Sequence, residues 1–402
     1  MVRDVANQIC LALLLCANIV AVLAHVWLGT GSLFTGIYLA IVTGFLILFG
    51  RWRSLVFADL LWLSLCGLFG LSAIQHPPAV PEAALFTLAL AAYAVSRGLP
   101  GAMQKRSFLL ILVMMVALGT ILTLFAFNSE ASKVHGRPLI FGQYDHPLVV
   151  FALLLGLLLF AFACSAIKIG LVAPICVVPI AIFAAAQVRF VFIALLGALV
   201  LGAIIAPPEQ RRRFAAIVGL VALSVLGGAL FKLDSTVMYA KYAVESLQPQ
   251  QDPVPAVGCA LVNLNNSLDI RRHVYIEALA ELPEAGVTGI GLGRFEKRSC
   301  VSSQVHNTIL QAAVELGIPA SLVLVSLIVV IWTRLYSSAR QGRQALFALC
   351  FLTFALLLSM VYGTLSSAGF LFVALGYGVA ASAAREISQF DLVPISQTGS
   401  MS

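Results

Sequence analysis

Along this chain apolar residues come in long uninterrupted runs, separated by short polar clusters, with little residue-by-residue alternation. Twelve runs stand out: Ile9–Leu28, Leu33–Phe49, Ser54–Ile74, Ala83–Val95, Phe108–Phe127, Leu148–Ile167, Gly170–Ala186, Phe190–Ile205, Phe214–Phe231, Thr308–Trp332, Leu346–Tyr362 and Leu365–Ala383. A helix needs about 20 apolar residues to cross the hydrocarbon of a bilayer, and most runs approach that length. Backbone polar groups in lipid must be satisfied within a helix or a closed barrel, and the two-residue period of barrel strands is missing. The pattern therefore predicts an all-α polytopic membrane protein with about twelve transmembrane helices. The first run has a weak basic flank, Arg3 balanced by Asp4, and no small-residue cleavage site, so it is expected to be retained as a helix.

Between Phe231 and Val305 the pattern changes. That stretch carries eight acids and seven bases, a balanced set that predicts a small helical cap between the ninth and tenth helices. Pro249–Gly258 is rich in turn residues. Leu268–Leu282 reads as an amphipathic helix with Val274, Ala278 and Leu282 on one face. Pro283 is expected to end it, and a glycine-rich loop follows to Phe295. The expected organisation is helices 1–9 in residues 1–231, the cap in 232–305, helices 10–12 in 306–385 and a tail in 386–402.

Composition narrows the class further. The chain is 61% hydrophobic and 10% charged over 402 residues, too apolar for water to be its solvent. Basic residues then set orientation. With the N-terminus in the cytoplasm, the inner loops collect Arg51, Arg53, Lys105, Arg106, Arg211–Arg213, Arg334 and Arg340, among others. The short outer loops hold only Lys133, Arg137 and Arg189. Both termini are thus expected inside and the cap outside. The formal charge of +7 is a topology signal and implies no nucleic-acid partner. Of eight cysteines, six lie in or beside apolar runs. Cys259 and Cys300 are the pair in the polar segment, and a bond between them would close the cap if that face is oxidising.

Four groups are candidates for chemistry. Arg189 is the only charge between Ile169 and Pro208. It either snorkels at a helix turn or faces a cavity, where its planar fork suits phosphate. Arg271-Arg272-His273 opens the amphipathic helix. Successive residues there point about 100° apart, so only one arginine faces a shared ligand, and Arg271 shares a stripe with Tyr275. Gly136–Pro147 offers Arg137 for phosphate and Asp145-His146, either a metal pair or a turn before Pro147, the turn being the simpler reading. Finally His306-Asn307 precedes the tenth run. A histidine in the first turn of that helix is expected to be held neutral by the macrodipole, below its reference pKa of about 6.5. A neutral imidazole suits a general base.

These last residues carry a family resemblance. "RRHVYIEALAELPEAGVTGIGLGRF" followed by "HNTILQAAVELGIPA" resembles the bacterial O-antigen ligase/polymerase superfamily. Its signature places an arginine four before an aromatic, then G-x-G, H-N-x-x-L and E-x-G. Arg271 and Tyr275, Gly289 and Gly291, His306, Asn307 and Leu310, and Glu315 and Gly317 match it, with Tyr275 where tryptophan is common. The layout of the runs and the long outer loop are similar too.

The resemblance implies a GT-C-like, metal-independent glycosyltransferase of the inner membrane, without cofactor. Such an enzyme moves O-polysaccharide from undecaprenyl pyrophosphate to lipid A-core at the periplasmic face. It also implies essential arginines and a histidine, carried here onto Arg189, Arg271 and His306, with Arg137, Arg272, Tyr275 and Asn307 near the substrates. The chemistry is compatible: guanidinium groups can stabilise the pyrophosphate as it leaves, by about 2–4 kcal/mol per well-placed donor. The first outer loop, Leu28–Ser32, has no acid to hold a metal. An O-antigen polymerase or a protein O-oligosaccharyltransferase would use the same residues. A lipid-linked oligosaccharide flippase would instead line a path near the midplane with charge.

Overall fold

The computed structural model describes residues 2–17, 19–20, 32–51, 54–99, 101–128, 133–134, 137–138, 146–165, 169–186, 189–234, 236–237, 241, 244 and 267–390. It is a helical bundle. The helices are α1 (Val2–Leu15), α2 (Ser32–Phe49), α3 (Phe57–Gln75), α4 (Val80–Arg97), α5 (Arg106–Asn128), α6 (His146–Cys164), α7 (Ile169–Ala185), α8 (Arg189–Ile205) and α9 (Pro208–Phe231). Then follow α10 (Ser267–Ala285), α11 (Phe295–Arg298), α12 (Thr308–Glu315), α13 (Ile318–Ala339), α14 (Arg343–Ser359) and α15 (Gly369–Phe390). Among the described residues the sole β structure is a two-residue antiparallel ladder, β1 (Lys133–Val134) on β2 (Arg137–Pro138).

Each apolar run coincides with a helix where it is described, but length separates them. Among the described residues, five helical segments are long and apolar enough to cross a membrane: Phe57–Gln75, Arg106–Asn128, Pro147–Cys164, Pro208–Phe231 and Ile318–Ala339. The apolar helices α7, α8 and α14 have 17 residues each. They rise about 26 Å, short of a hydrocarbon core of about 30 Å. Twelve crossings are therefore more than length and composition support on their own.

The core is organised around α6, whose apolar window is wholly buried. A helix apolar on every side has no water-facing stripe and belongs at the centre. It packs against α5, α7 and α14, while α4 lies along α15. There Gly376 lets the backbones meet, since a Cβ would stand 2.1 Å from the Tyr93 carbonyl oxygen, the small-residue contact common between membrane helices. Asp59 at the start of α3 and Arg97 at the end of α4 form a buried ion pair at 3.3 Å. The Tyr93 hydroxyl donates to Asp59 at 2.8 Å.

The run Thr308–Trp332 is divided at Gly317-Ile318-Pro319, where the sequence leads one to expect the helix to loosen: α12 stops at Glu315 and α13 restarts at Ile318, with Gly317 at φ +98. One expected helix boundary is corrected. Pro283 does not end α10, which continues to Ala285. A proline in the last turn removes only the bond to the carbonyl of Leu279, which lies on the exposed side.

The connections sort onto two ends of the bundle. At one end the Arg3 guanidinium donates to the Phe49 carbonyl, Arg51 N donates to Gly98 O, Lys105 pairs with Asp4, and Arg213 donates to Ser165 O. At the other, the 267–307 segment docks. Thr288 donates to Gln75 at 2.6 Å, Tyr275 to Met360 O at 2.9 Å and the backbone of Leu365 to Gln311 at 2.9 Å. This segment shares with α12 a small core of Val274, Ala278, Ala285, Ile290, Phe295, Val305 and Val314, distinct from that of the bundle.

Candidate functional site

The site is built where α10 and α12 meet the ends of α8 and α14. α12 starts cleanly because Asn307 caps it. The Asn307 side-chain oxygen accepts from the backbone N–H of Ile309 and of Leu310, both at 3.1 Å. His306 is therefore outside the helix, one residue before the cap, with φ +53 in the left-handed region. This corrects the expectation that it sits in the first helical turn. Its imidazole is still held neutral, but by a different cause. Burial comes first and the neighbouring Arg271 charge second, and together they lower its pKa to about 4.

Around that ring the contacts are few. The Ser303 hydroxyl lies 3.4 Å from His306 Nε2, and Nδ1 is buried without a hydrogen-bond partner among the described residues. Arg271 approaches from α10. Its guanidinium carbon lies 4.2 Å from the centre of the Phe190 ring, a stacking that holds the planar group in place. Phe190 follows Arg189, so this contact brings the first turn of α8 to the Arg271–His306 pair. One turn further along α10, Tyr275 hydrogen-bonds Met360 O and is within bonding reach of Asn307. Arg271, Tyr275, His306 and Asn307 thus converge. Arg272 is exposed, turned away from the group as the helical spacing requires.

The other expected residues fall as follows. Arg189 opens α8 and Arg137 lies in β2 opposite Val134; the side chains of both, and all of Asp145, are outside the described residues. His273 Nε2 is 3.2 Å from Glu277 Oε1. Glu277 also receives the Ser299 hydroxyl at 2.7 Å and the Cys300 N–H at 3.2 Å. His273, Glu277 and Cys300 come close enough to suggest a metal cluster. Cys300 is disulfide-bonded, however, so it has no thiolate to offer. Its expected partner Cys259 lies outside the described residues, and the six other cysteines are free.

The glycines and glutamate of the motif are scaffold. Ile290 N donates to Val314 O and Gly291 N to Glu315 O, both at 2.9 Å, so the glycine-rich loop lies against the end of α12. A Cβ on Gly289 (φ +74) would stand 2.2 Å from the Glu315 carbonyl, and one on Gly317 would stand 2.0 Å from Val287 O. The buried Glu315 carboxylate accepts from Phe295 N at 3.2 Å and from Gln311 Nε2 at 2.9 Å. Gln311 in turn accepts from Leu365 N. Burial raises the Glu315 pKa to about 7 against these donors. Ser303, Phe190, Gln311 and the Met360 carbonyl were not singled out from sequence. Only Gln311 and Glu315 left a trace there, as two polar residues four apart in an apolar run.

An apolar crevice of about 160 Å³ opens among the bundle helices. Leucines and alanines of α1, α2, α4, α6, α14 and α15 line it, with Ser359, Tyr362, Ser366 and Ser367 among its polar members. Thr308, two residues after His306, donates to the carbonyl of Ser359 at 3.3 Å. A neutral imidazole, a stacked guanidinium and a neighbouring apolar crevice are together suited to an amphiphile with an anionic head.

A family model described as O-antigen ligase matches residues 174–325. The matched segment runs from α7 into α13 and contains Arg189, Arg271, Tyr275, His306, Asn307 and Glu315, and it supports membership of that family. No curated protein matches the chain.

Proposed function

We propose that this member of the O-antigen ligase family transfers O-polysaccharide from undecaprenyl pyrophosphate to a sugar hydroxyl of lipid A-core, at the periplasmic face of the bacterial inner membrane. The observation that carries the reading is the pairing of a neutral, half-buried His306 with a stacked Arg271, joined to the crevice through the contact of Thr308 with Ser359. The isoprenoid tail occupies apolar space of this kind, and the pyrophosphate lies by Arg271 and the N-terminus of α8, where Arg189 begins the helix. The acceptor oxygen attacks the anomeric carbon, its proton passes to the imidazole, and the bond to pyrophosphate breaks on the opposite face. The sugar is inverted, and the leaving charge is met by guanidinium groups and no metal. Both termini lie in the cytoplasm, and 232–305 forms the periplasmic cap.

A pKa of about 4 makes a weak base. The arriving pyrophosphate offsets the Arg271 charge that helps depress it, so the imidazole gains basicity when donor is bound. The test is the banding of lipopolysaccharide from a deletion strain complemented with wild type or His306→Ala. A ligase predicts core without O-polysaccharide in both the deletion and the variant. Core bearing a single repeat would instead identify a polymerase, and unchanged lipopolysaccharide would overturn the reading.

A further inference from the structure

A second polar recess lies at the opposite end of the bundle. α4 links the two ends: Glu82 in its first turn approaches Gly293 of the glycine-rich loop, and Gly98, just past its end, lines the recess. The 18 residues between separate them by about 27 Å. The recess, of about 60 Å³, is bordered by Arg3, Asp4, Asn7, Phe49, Arg51 and Lys105.

Arg3 is held by its bond to the Phe49 carbonyl and by the Phe49 ring, 5.6 Å away. Lys105 is fixed at 3.0 Å from Asp4. Arg51 is anchored through its backbone to Gly98 while its side chain is exposed. Three cations face one acid, leaving two positive charges in excess. At the inner wall Asn7 is only 7% exposed, and its Oδ1 has no hydrogen-bond partner among the described residues. A buried acceptor of this kind calls for a donor from a ligand. Phe49, which borders the recess, and Leu48 before it present exposed apolar side chains at the end of α2.

We propose that this recess binds the headgroup of an anionic membrane phospholipid. Its phosphate lies among Arg3, Arg51 and Lys105, a headgroup hydroxyl donates to Asn7, and its acyl chains run over the apolar strip of Leu48 and Phe49 at the end of α2. Basic pockets between membrane helices take such headgroups, and a free anion would make no use of the strip.

The test uses the purified full-length protein in a non-ionic detergent. It is titrated with phosphatidylglycerol, phosphatidylcholine or inorganic phosphate, with occupancy read by native mass spectrometry and stability by Tm. Phosphatidylglycerol is expected to bind and raise Tm, phosphatidylcholine and phosphate to do neither. Arg51→Gln, whose side chain is exposed, should keep the fold and weaken phosphatidylglycerol about fivefold, the effect of one charge near a headgroup. Asn7→Leu, which removes the buried acceptor, should also weaken phosphatidylglycerol, and unchanged affinity there would overturn the headgroup contact to Asn7. Equal binding of phosphatidylcholine, equal stabilisation by phosphate, or wild-type affinity in Arg51→Gln would each overturn the proposal.

Discussion

His306 is kept neutral by its surroundings, and under the proposed function those surroundings change when an anionic donor arrives. In the free protein the imidazole titrates at about 4, through burial first and the Arg271 charge second. The acid limb of kcat/KM reports the free enzyme, and that of kcat the bound complex. The limb of kcat/KM is therefore expected near pH 4 and that of kcat at higher pH, where pyrophosphate has offset the guanidinium. Coincident limbs would contradict this electrostatic coupling. Arg271 contributes shape as well as charge, through its stacking 4.2 Å from the Phe190 ring. Arg271→Lys keeps the charge and loses the planar fork, so transfer should fall about a hundredfold, the scale of losing one donor to a developing anion. A lysine variant with near-wild-type rates would remove Arg271 from the phosphate site.

At the scale of elements, the site depends on how the glycine-rich loop grips α12. Glu315 is at the centre of that grip, accepting from Phe295 N and from Gln311 Nε2, while Gln311 Oε1 is already committed to Leu365 N. Glu315→Gln would set an amide donor against the Gln311 amide donor, with no free acceptor to turn to. The expected cost is about 1–3 kcal/mol, read as a lower Tm. Because burial raises the Glu315 pKa to about 7 from an ordinary 4.5, its stabilisation is complete below pH 4.5 and is lost as pH rises through about 7. Glu315→Gln should therefore also flatten the dependence of Tm on pH across that window. Gly317→Ala should do worse, adding a left-handed strain of about 1–2 kcal/mol to an overlap with Val287 O at 2.0 Å. Periodicity made α10 legible, since Val274 and Ala278 are fully buried where the spacing put them. It could not reveal that His306 lies outside α12, because a cap is set by the Asn307 side chain and by a positive φ, neither of which has a period. Nor could it assign the motif's glycines and Glu315 to scaffold, since that role comes from a loop folding back across more than twenty residues of sequence.

On the scale of the whole molecule, the two ends differ in kind. One gathers Arg3, Arg51, Lys105 and Arg213 at helix termini; the other carries the docked 267–307 segment and the His306 group. Positive charge in short loops favours the cytoplasmic side of a bilayer, and the proposed function accordingly takes the His306 end as periplasmic. Length alone leaves the crossings undecided, because several apolar helices have only 17 residues, but chemical access to exposed positions can count them. Arg212 lies near the start of α9, Lys297 lies in α11 beyond its end, and Arg340 follows α13; all three are exposed. In intact cells a membrane-impermeant maleimide should label Lys297→Cys, and should label Arg212→Cys and Arg340→Cys only after permeabilisation. Labelling of all three from outside would mean that neither α9 nor α13 crosses. The reverse pattern would turn the molecule over, place His306 on the cytoplasmic side and contradict the proposed transfer at the periplasmic face.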